Sequence, residues 1–151
     1  MEISCSRTID APADKVWAVM TNLDGFSEAI NGIVSVERLD DDTGFEVGTS
    51  WRETRIMFGR TATEDMWVTE LDPGHSYVVE ANSHGAEYRT TQSVEPDGEG
   101  RSVLSMSFGA TPTGTVAKVM SATVGRLFAN ATRKAFEKDL ADIAAAVEAA
   151  S

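Results

Sequence analysis

The chain has 151 residues, 42% of them hydrophobic, and this size predicts one compact domain over residues 1–151 with a full-sized core. Its 13 Lys and Arg residues against 24 Asp and Glu residues give a net charge of −11. So acidic a chain repels a phosphate backbone, which argues against nucleic acid as a partner.

The first 39 residues predict a strand, two short helices and a second strand. Residues Glu2 to Ile9 alternate between polar side chains and a mostly apolar set, which is the pattern of a strand with one buried face. Pro12 suits the first position of a helix, and the apolar residues after it recur at three- and four-residue spacing. A further turn or two of helix is predicted from Phe26 to Ile30, and a second strand from Ile33 to Leu39.

The remainder of the chain divides into a β-rich part and a helical part. From Thr49 to Ala110, β-type runs are separated by turn signals, which predicts five antiparallel strands. After Gly114, apolar and small residues recur at helical spacing as far as Val147 with no proline, so a long C-terminal helix is predicted. The fold class is therefore α+β, with helices on one face of an antiparallel sheet.

Four segments carry a resemblance to a known superfamily. They are Ile9-Asp10-Ala11-Pro12-Ala13-Asp14-Lys15-Val16-Trp17, Val47-Gly48-Thr49, Val68-Thr69-Glu70-Leu71-Asp72-Pro73-Gly74 and Lys138-Asp139-Leu140. Together with the order of elements, they make the chain similar to the START-related helix-grip superfamily, which includes polyketide cyclases and lipid-transfer domains. The resemblance implies a seven-stranded curved antiparallel sheet wrapped around the long C-terminal helix. It also implies a cavity between sheet and helix for a mostly apolar small molecule, and no shared catalytic motif.

Alternation along the strands predicts which side chains line that cavity. In the last three strands the inward set includes Tyr77, Tyr88, Gln92, Met106 and Phe108. The two strands before them mix charge and bulk on both faces. We predict an inward face made of Trp51, Glu53, Arg55, Met57 and Trp67, while the opposite register of the third strand, with Thr54, Ile56 and Phe58 inside, remains open.

The C-terminal helix is predicted to close the cavity with residues from its first turns. The residues placed for this by their spacing are Met120, Thr123, Val124 and Leu127.

Two functions fit such a cavity. In the first, the protein binds a lipid, polyketide or aromatic compound by apolar burial, and Glu53, Tyr88 and Gln92 orient it. In the second, it resembles polyketide cyclases and dehydrases, with Glu53 as general base and Arg55 and Tyr88 polarising carbonyls or enolates. An interaction protein without a ligand is a third, less favoured alternative.

Cofactors and location are predicted from what the sequence lacks. One cysteine and two histidines supply too few ligands for a zinc or iron site, and no phosphate-binding glycine loop is present, so neither metal nor cofactor is expected. Without an integral membrane segment of about 18 apolar residues or a disulfide framework, a cytoplasmic protein is expected. A homodimer through a sheet edge or the long helix stays possible.

Overall fold

The structure, a computed structural model, describes residues 2–41, 43–57, 59–83, 86–112 and 122–150. The elements in chain order are β1 (Glu2–Ile9), α1 (Ala13–Met20), a 3₁₀ turn (Leu23–Gly25), α2 (Phe26–Ala29), β2 (Ile33–Arg38), β3 (Ser50–Met57), β4 (Arg60–Asp72), β5 (Ser76–Ser83), β6 (Ala86–Pro96), β7 (Ser102–Pro112) and α3 (Ala122–Ala150). This order confirms the predicted α+β class.

The seven strands form one curved antiparallel sheet in the order β1-β7-β6-β5-β4-β3-β2. Strands β2 to β7 each lie beside their neighbours in sequence, whereas β1 pairs with β7. The tight connection between β4 and β5 turns at Gly74, whose φ of 81° is a conformation that costs other residues free energy. Short turns of this kind hold the meander in register.

Helix α1 is fixed to the sheet at its start. Pro12 is the extended N-cap residue, and the backbone carbonyl of the preceding Ala11 accepts a 2.9 Å hydrogen bond from the hydroxyl of buried Ser102 in β7. Val16 and Met20 then recur on the buried face at four-residue spacing. These contacts place α1 where it meets α3, β6 and β7.

Helix α3 covers the sheet with one face, against β1 and α1. Its buried residues form one face at helical spacing: Thr132, Phe136, Asp139, Leu140, Ile143, Ala144 and Val147. Within the described ranges, no helix combines the length and the apolar character that crossing a bilayer requires.

Candidate functional site

A cavity lies between the sheet and α3. Residues of α1, α2, α3 and every strand from β2 to β7 line it. Its volume is about 180 Å³. A space of ~10–15 Å³ is already enough to hold one water molecule. Most of the wall is apolar, with contributions from Met20, Phe26, Ile30, Met106, Phe108 and Phe136. The cavity is thus far larger than a packing defect.

Eight residues predicted from the sequence line this cavity. They are Trp51, Glu53, Arg55, Tyr77, Tyr88, Gln92, Met106 and Phe108. For β3 this decides between the two registers, because Trp51 and Glu53 are buried whereas Ile56 is 56% exposed. Their inward placement is confirmed, and their roles toward a ligand stay predictions.

The inward placement of Trp67 is wrong. Trp51 in β3 pairs with Met66 in β4, so these two side chains share the inner face. Successive residues of a strand point to opposite faces, and Trp67 therefore lies on the outer face, across from Ser50 and Glu80. The inward residues of β4 are instead Glu64, Met66 and Val68.

The prediction that Leu127 closes the cavity is also wrong, because its side chain is 66% exposed. Leu127 precedes the cavity-lining Thr132 by five residues, about 1.4 turns of helix, which points it away from the wall. Of the other predicted residues, Met120 lies outside the described residues, as do the side chains of Met57, Thr123 and Val124.

A buried ion-pair cluster, made of Glu53, Arg55 and Asp139, connects β3 to α3 across the cavity wall. The Arg55 Nε donates to Glu53 Oε2 at 3.1 Å, and an Arg55 terminal nitrogen donates to Asp139 Oδ2 at 3.0 Å. The Trp51 indole N–H donates to the other Glu53 oxygen at 3.4 Å. The two carboxylates thereby fix the guanidinium at the edge of the cavity.

Burial and charge act against each other in this cluster. Burial by itself lowers the pKa of Arg55, but the carboxylates of Asp139 and Glu53 outweigh it and raise the pKa, so the guanidinium stays charged. Burial raises the pKa of Asp139, and Arg55 offsets only part of that rise. One cation thus serves two acids, and the cluster carries excess negative charge when both acids are ionised.

The two tyrosines of the wall differ in what their hydroxyls do. The Tyr77 hydroxyl is fully buried and donates to the Met20 carbonyl at 2.9 Å. Burial is the larger cause of the raised pKa of this hydroxyl, and the negative charge of Glu53 is the smaller cause. Tyr88 is only half-buried, and its ring stacks on Phe108 with centroids 5.5 Å apart. Tyr77 therefore uses its hydroxyl to attach α1, while Tyr88 is the tyrosine able to orient a ligand.

Removing each hydroxyl is expected to separate these two roles. Tyr77→Phe leaves the buried Met20 carbonyl without a donor, so the free energy of unfolding should fall by about 1–3 kcal/mol, with little change in ligand affinity. Tyr88→Phe should leave stability nearly unchanged and weaken a polar ligand several-fold. Urea unfolding and ligand titration of both variants check this. Equal effects of the two substitutions on stability would contradict it.

Glu64, Gln92 and Thr132 are polar side chains of the wall that have no hydrogen-bond or ion-pair partner among the described residues. The Gln92 amide oxygen and the Thr132 hydroxyl are buried and unpaired. Glu64 lies opposite Glu53 in the β3–β4 pair. The negative charge of Glu64 raises the pKa of Tyr88, although burial is the larger cause of that rise. Buried polar groups usually have a partner, so these groups favour a site that a ligand completes.

Sequence reasoning missed Glu64, Thr132 and Asp139. A signal existed for Asp139, because it lies on the same helix stripe as Phe136 and Ile143, three and four residues away. An acid in an apolar stripe needs a partner, and the inward Arg55 is one. No three His, Cys, Asp or Glu side chains of the described residues converge closely enough to hold a metal ion.

Comparisons with known proteins agree with this architecture. A family profile described as polyketide cyclase / dehydrase and lipid transport matches residues 1–148. Similar solved structures include TTHA0849 from Thermus thermophilus (18% identity, TM-score 0.82, covering 100% of this chain and 99% of that one). Others are a START superfamily protein from Mycobacterium smegmatis (11%, 0.82, 99% of both) and the Zhui aromatase/cyclase from Streptomyces sp. R1128 (17%, 0.78, 98% and 93%). At these identities the structures share the fold alone. No curated protein matches the sequence significantly.

Proposed function

The chain belongs to the polyketide cyclase, dehydrase and lipid transport family of the START-related helix-grip superfamily, and we propose that it binds a small, largely apolar molecule in its cavity. The observation that carries the proposal is the cavity itself, about 180 Å³ of space with mostly apolar walls and a few polar groups. Small-molecule sites in proteins typically combine these features. A lipid, a polyketide and an aromatic compound all fit this description.

The expected affinity follows from the apolar area that a ligand would bury. A molecule of one or two aromatic rings loses roughly 200 Å² of surface to such a wall, worth about 5 kcal/mol at ~25 cal/mol per Å². Lost translational freedom offsets part of this gain. Because about 5 kcal/mol alone corresponds to a dissociation constant of about 0.2 mM, we expect dissociation constants near or above this value, in the millimolar range, for simple aromatic probes.

Native mass spectrometry of protein purified from its own host, followed by denaturing extraction, is the first test. A bound apolar compound at one equivalent per chain would support the proposal. As a second measurement, N-phenyl-1-naphthylamine, an uncharged fluorescent probe, should bind with 1:1 stoichiometry and increased emission. A chain that carries no ligand and also leaves the emission of this probe unchanged would contradict the proposal.

A second candidate function is cyclase- or dehydrase-like catalysis, favoured by the carboxylates beside Arg55 and Tyr88. In that reaction, a carboxylate removes a proton next to a ligand carbonyl, and donors stabilise the enolate. Both Glu53 oxygens already accept hydrogen bonds, so the unpaired Glu64 is better placed to accept a proton than the predicted Glu53. Protein-dependent deuterium exchange at the α-carbon of α-tetralone, lost in Glu64→Gln, would distinguish catalysis from binding alone.

A further inference from the structure

The ionisable groups on the cavity wall are unequal in number. Among the described residues of the lining, three carboxylates belong to inward positions, namely Glu53, Glu64 and Asp139, against the single guanidinium of Arg55, while Glu80 belongs to an outer-face position across from Trp67. Glu53 and Glu64 lie directly opposite each other in adjacent strands, so their charges repel. When all four groups are ionised, the wall therefore carries a net charge of about −2.

Arg55 is not free to attract an anion. Its guanidinium already donates to Glu53 and to Asp139, at 3.1 and 3.0 Å, so two acids balance its one positive charge. The remaining acid near the wall, Glu80, lies at an outer-face position across from Trp67 and pairs there with Arg89 at 3.6 Å. A carboxylate or phosphate entering the cavity would lose its water and meet excess negative charge.

The unpaired polar atoms favour a donor from the ligand. The Glu64 carboxylate and the Gln92 amide oxygen can only accept hydrogen bonds. The Thr132 hydroxyl, on a residue 1% exposed, can accept as well as donate. A ligand hydroxyl or ammonium group would satisfy acceptors that otherwise stay unpaired at a cost in free energy.

We propose that the cavity selects an apolar ligand whose polar end is a hydrogen-bond donor without negative charge, a hydroxyl or an amine, and excludes carboxylates and phosphates. This inference rests on the proposed binding function and narrows its ligand class. Free fatty acids and anionic phospholipids fall outside that class, whereas phenols, alcohols and aromatic amines fall within it.

Three probes with one apolar body test the selection. They are 1-naphthalenemethanol, which is neutral, 1-naphthylmethylamine, which is cationic, and 1-naphthoic acid, which is anionic at pH 7.5. Calorimetric titration at 0.15 M salt should show the alcohol and the amine binding at least tenfold more tightly than the acid. Screening at this salt suppresses the field of distant surface charges, so the difference reports the cavity wall.

A matched pair of variants tests whether the charge on the cavity wall causes the selection among ligands. Glu64→Gln removes one inward charge, and it should weaken the amine and strengthen the acid severalfold each. Asp65→Asn removes the same charge at the next residue, whose exposed side chain pairs with Arg52 on the outer face. It should change none of the three affinities, because only an inward charge touches the ligand.

The outcomes distinguish a failure of the charge selection from a failure of the proposed binding function. If none of the three probes binds, the binding function fails and the selection fails with it. If all three bind alike, or the acid binds best, the cavity is a binding site and the charge selection is wrong. If Asp65→Asn alters affinity as much as Glu64→Gln does, net charge rather than the cavity wall causes the preference, which also overturns the inference.

Discussion

Replacing Arg55 with methionine is expected to lower the free energy of unfolding by about 3–5 kcal/mol, the range found when one partner of a buried ion pair is removed. Methionine keeps much of the side-chain volume and removes the charge. Glu53 and Asp139, each 6% exposed, would then face each other's charge without a cation between them. Chemical denaturation monitored by circular dichroism measures the loss.

Arg52→Met is the matched control for this substitution. Arg52 lies on the same strand, pairs with Asp65 at 2.8 Å and has a side chain that is 47% exposed. Exposed ion pairs contribute little to stability, so the control should unfold nearly as the unmodified chain does. Equal losses in the two variants would show that the ion-pair cluster has no special role in the fold.

The loss in Arg55→Met should also depend on pH in a defined direction. Burial raises the pKa of Asp139 above its ordinary 3.8 even with Arg55 present, and removing the guanidinium raises it further. The folded chain then binds this proton more tightly than the unfolded chain does, so folding gains stability as pH falls through the folded pKa. We expect a smaller deficit at pH 5 than at pH 8, and a deficit that grows on acidification would contradict this account.

Replacing Thr90 with phenylalanine is expected to abolish ligand binding while the protein stays folded. Thr90 lines the cavity from the middle of β6, where it lies between Val79 and Phe108. A benzyl group there occupies space that the ligand would fill. Losing about 3 kcal/mol of apolar burial corresponds to a roughly 100-fold weaker affinity for N-phenyl-1-naphthylamine.

Thr91→Phe provides the control one residue further along the same strand. Thr91 lies across from Val78 and Ser107 on the outer face, so the same added volume does not reach the cavity. This variant should bind the probe with unchanged affinity. If Thr90→Phe binds as tightly as the unmodified chain, the ligand site lies elsewhere, and if it fails to fold, the cavity is too rigid to accept the ring.

The inward faces of β5, β6 and β7 were predictable because polar and bulky apolar residues largely alternate there. In β6, Arg89 and Glu95 mark one face as solvated, which leaves Tyr88 and Gln92 on the other. The same rule is weak in β4, where Glu64 points inward and Trp67 outward. The argument from apolar area misplaced Trp67 because a half-buried outer position suffices for its ring.

The charge arrangement of the cavity was only partly predictable. The sequence places Glu53 and Arg55 on one face at next-but-one spacing, and the structure shows them hydrogen-bonded. Asp139 completes the cluster, and it lies 84 residues from Arg55 along the chain. Its position beside Arg55 therefore depends on how α3 packs against the sheet. Periodicity within one element cannot give the register between two elements that are distant in sequence.

The pairing of β1 with β7 has a consequence for the order of folding. Strands β3 to β7 can pair as successive hairpins, whereas β1 needs a partner that lies about a hundred residues away, as with Ser4 and Ser107, which are 103 positions apart. Such distant pairings form slowly and late. Because α3 packs on β1, the cavity is completed only in this last step. A ligand that occupies the cavity should then slow unfolding far more than it speeds folding, since the transition state lacks the binding site.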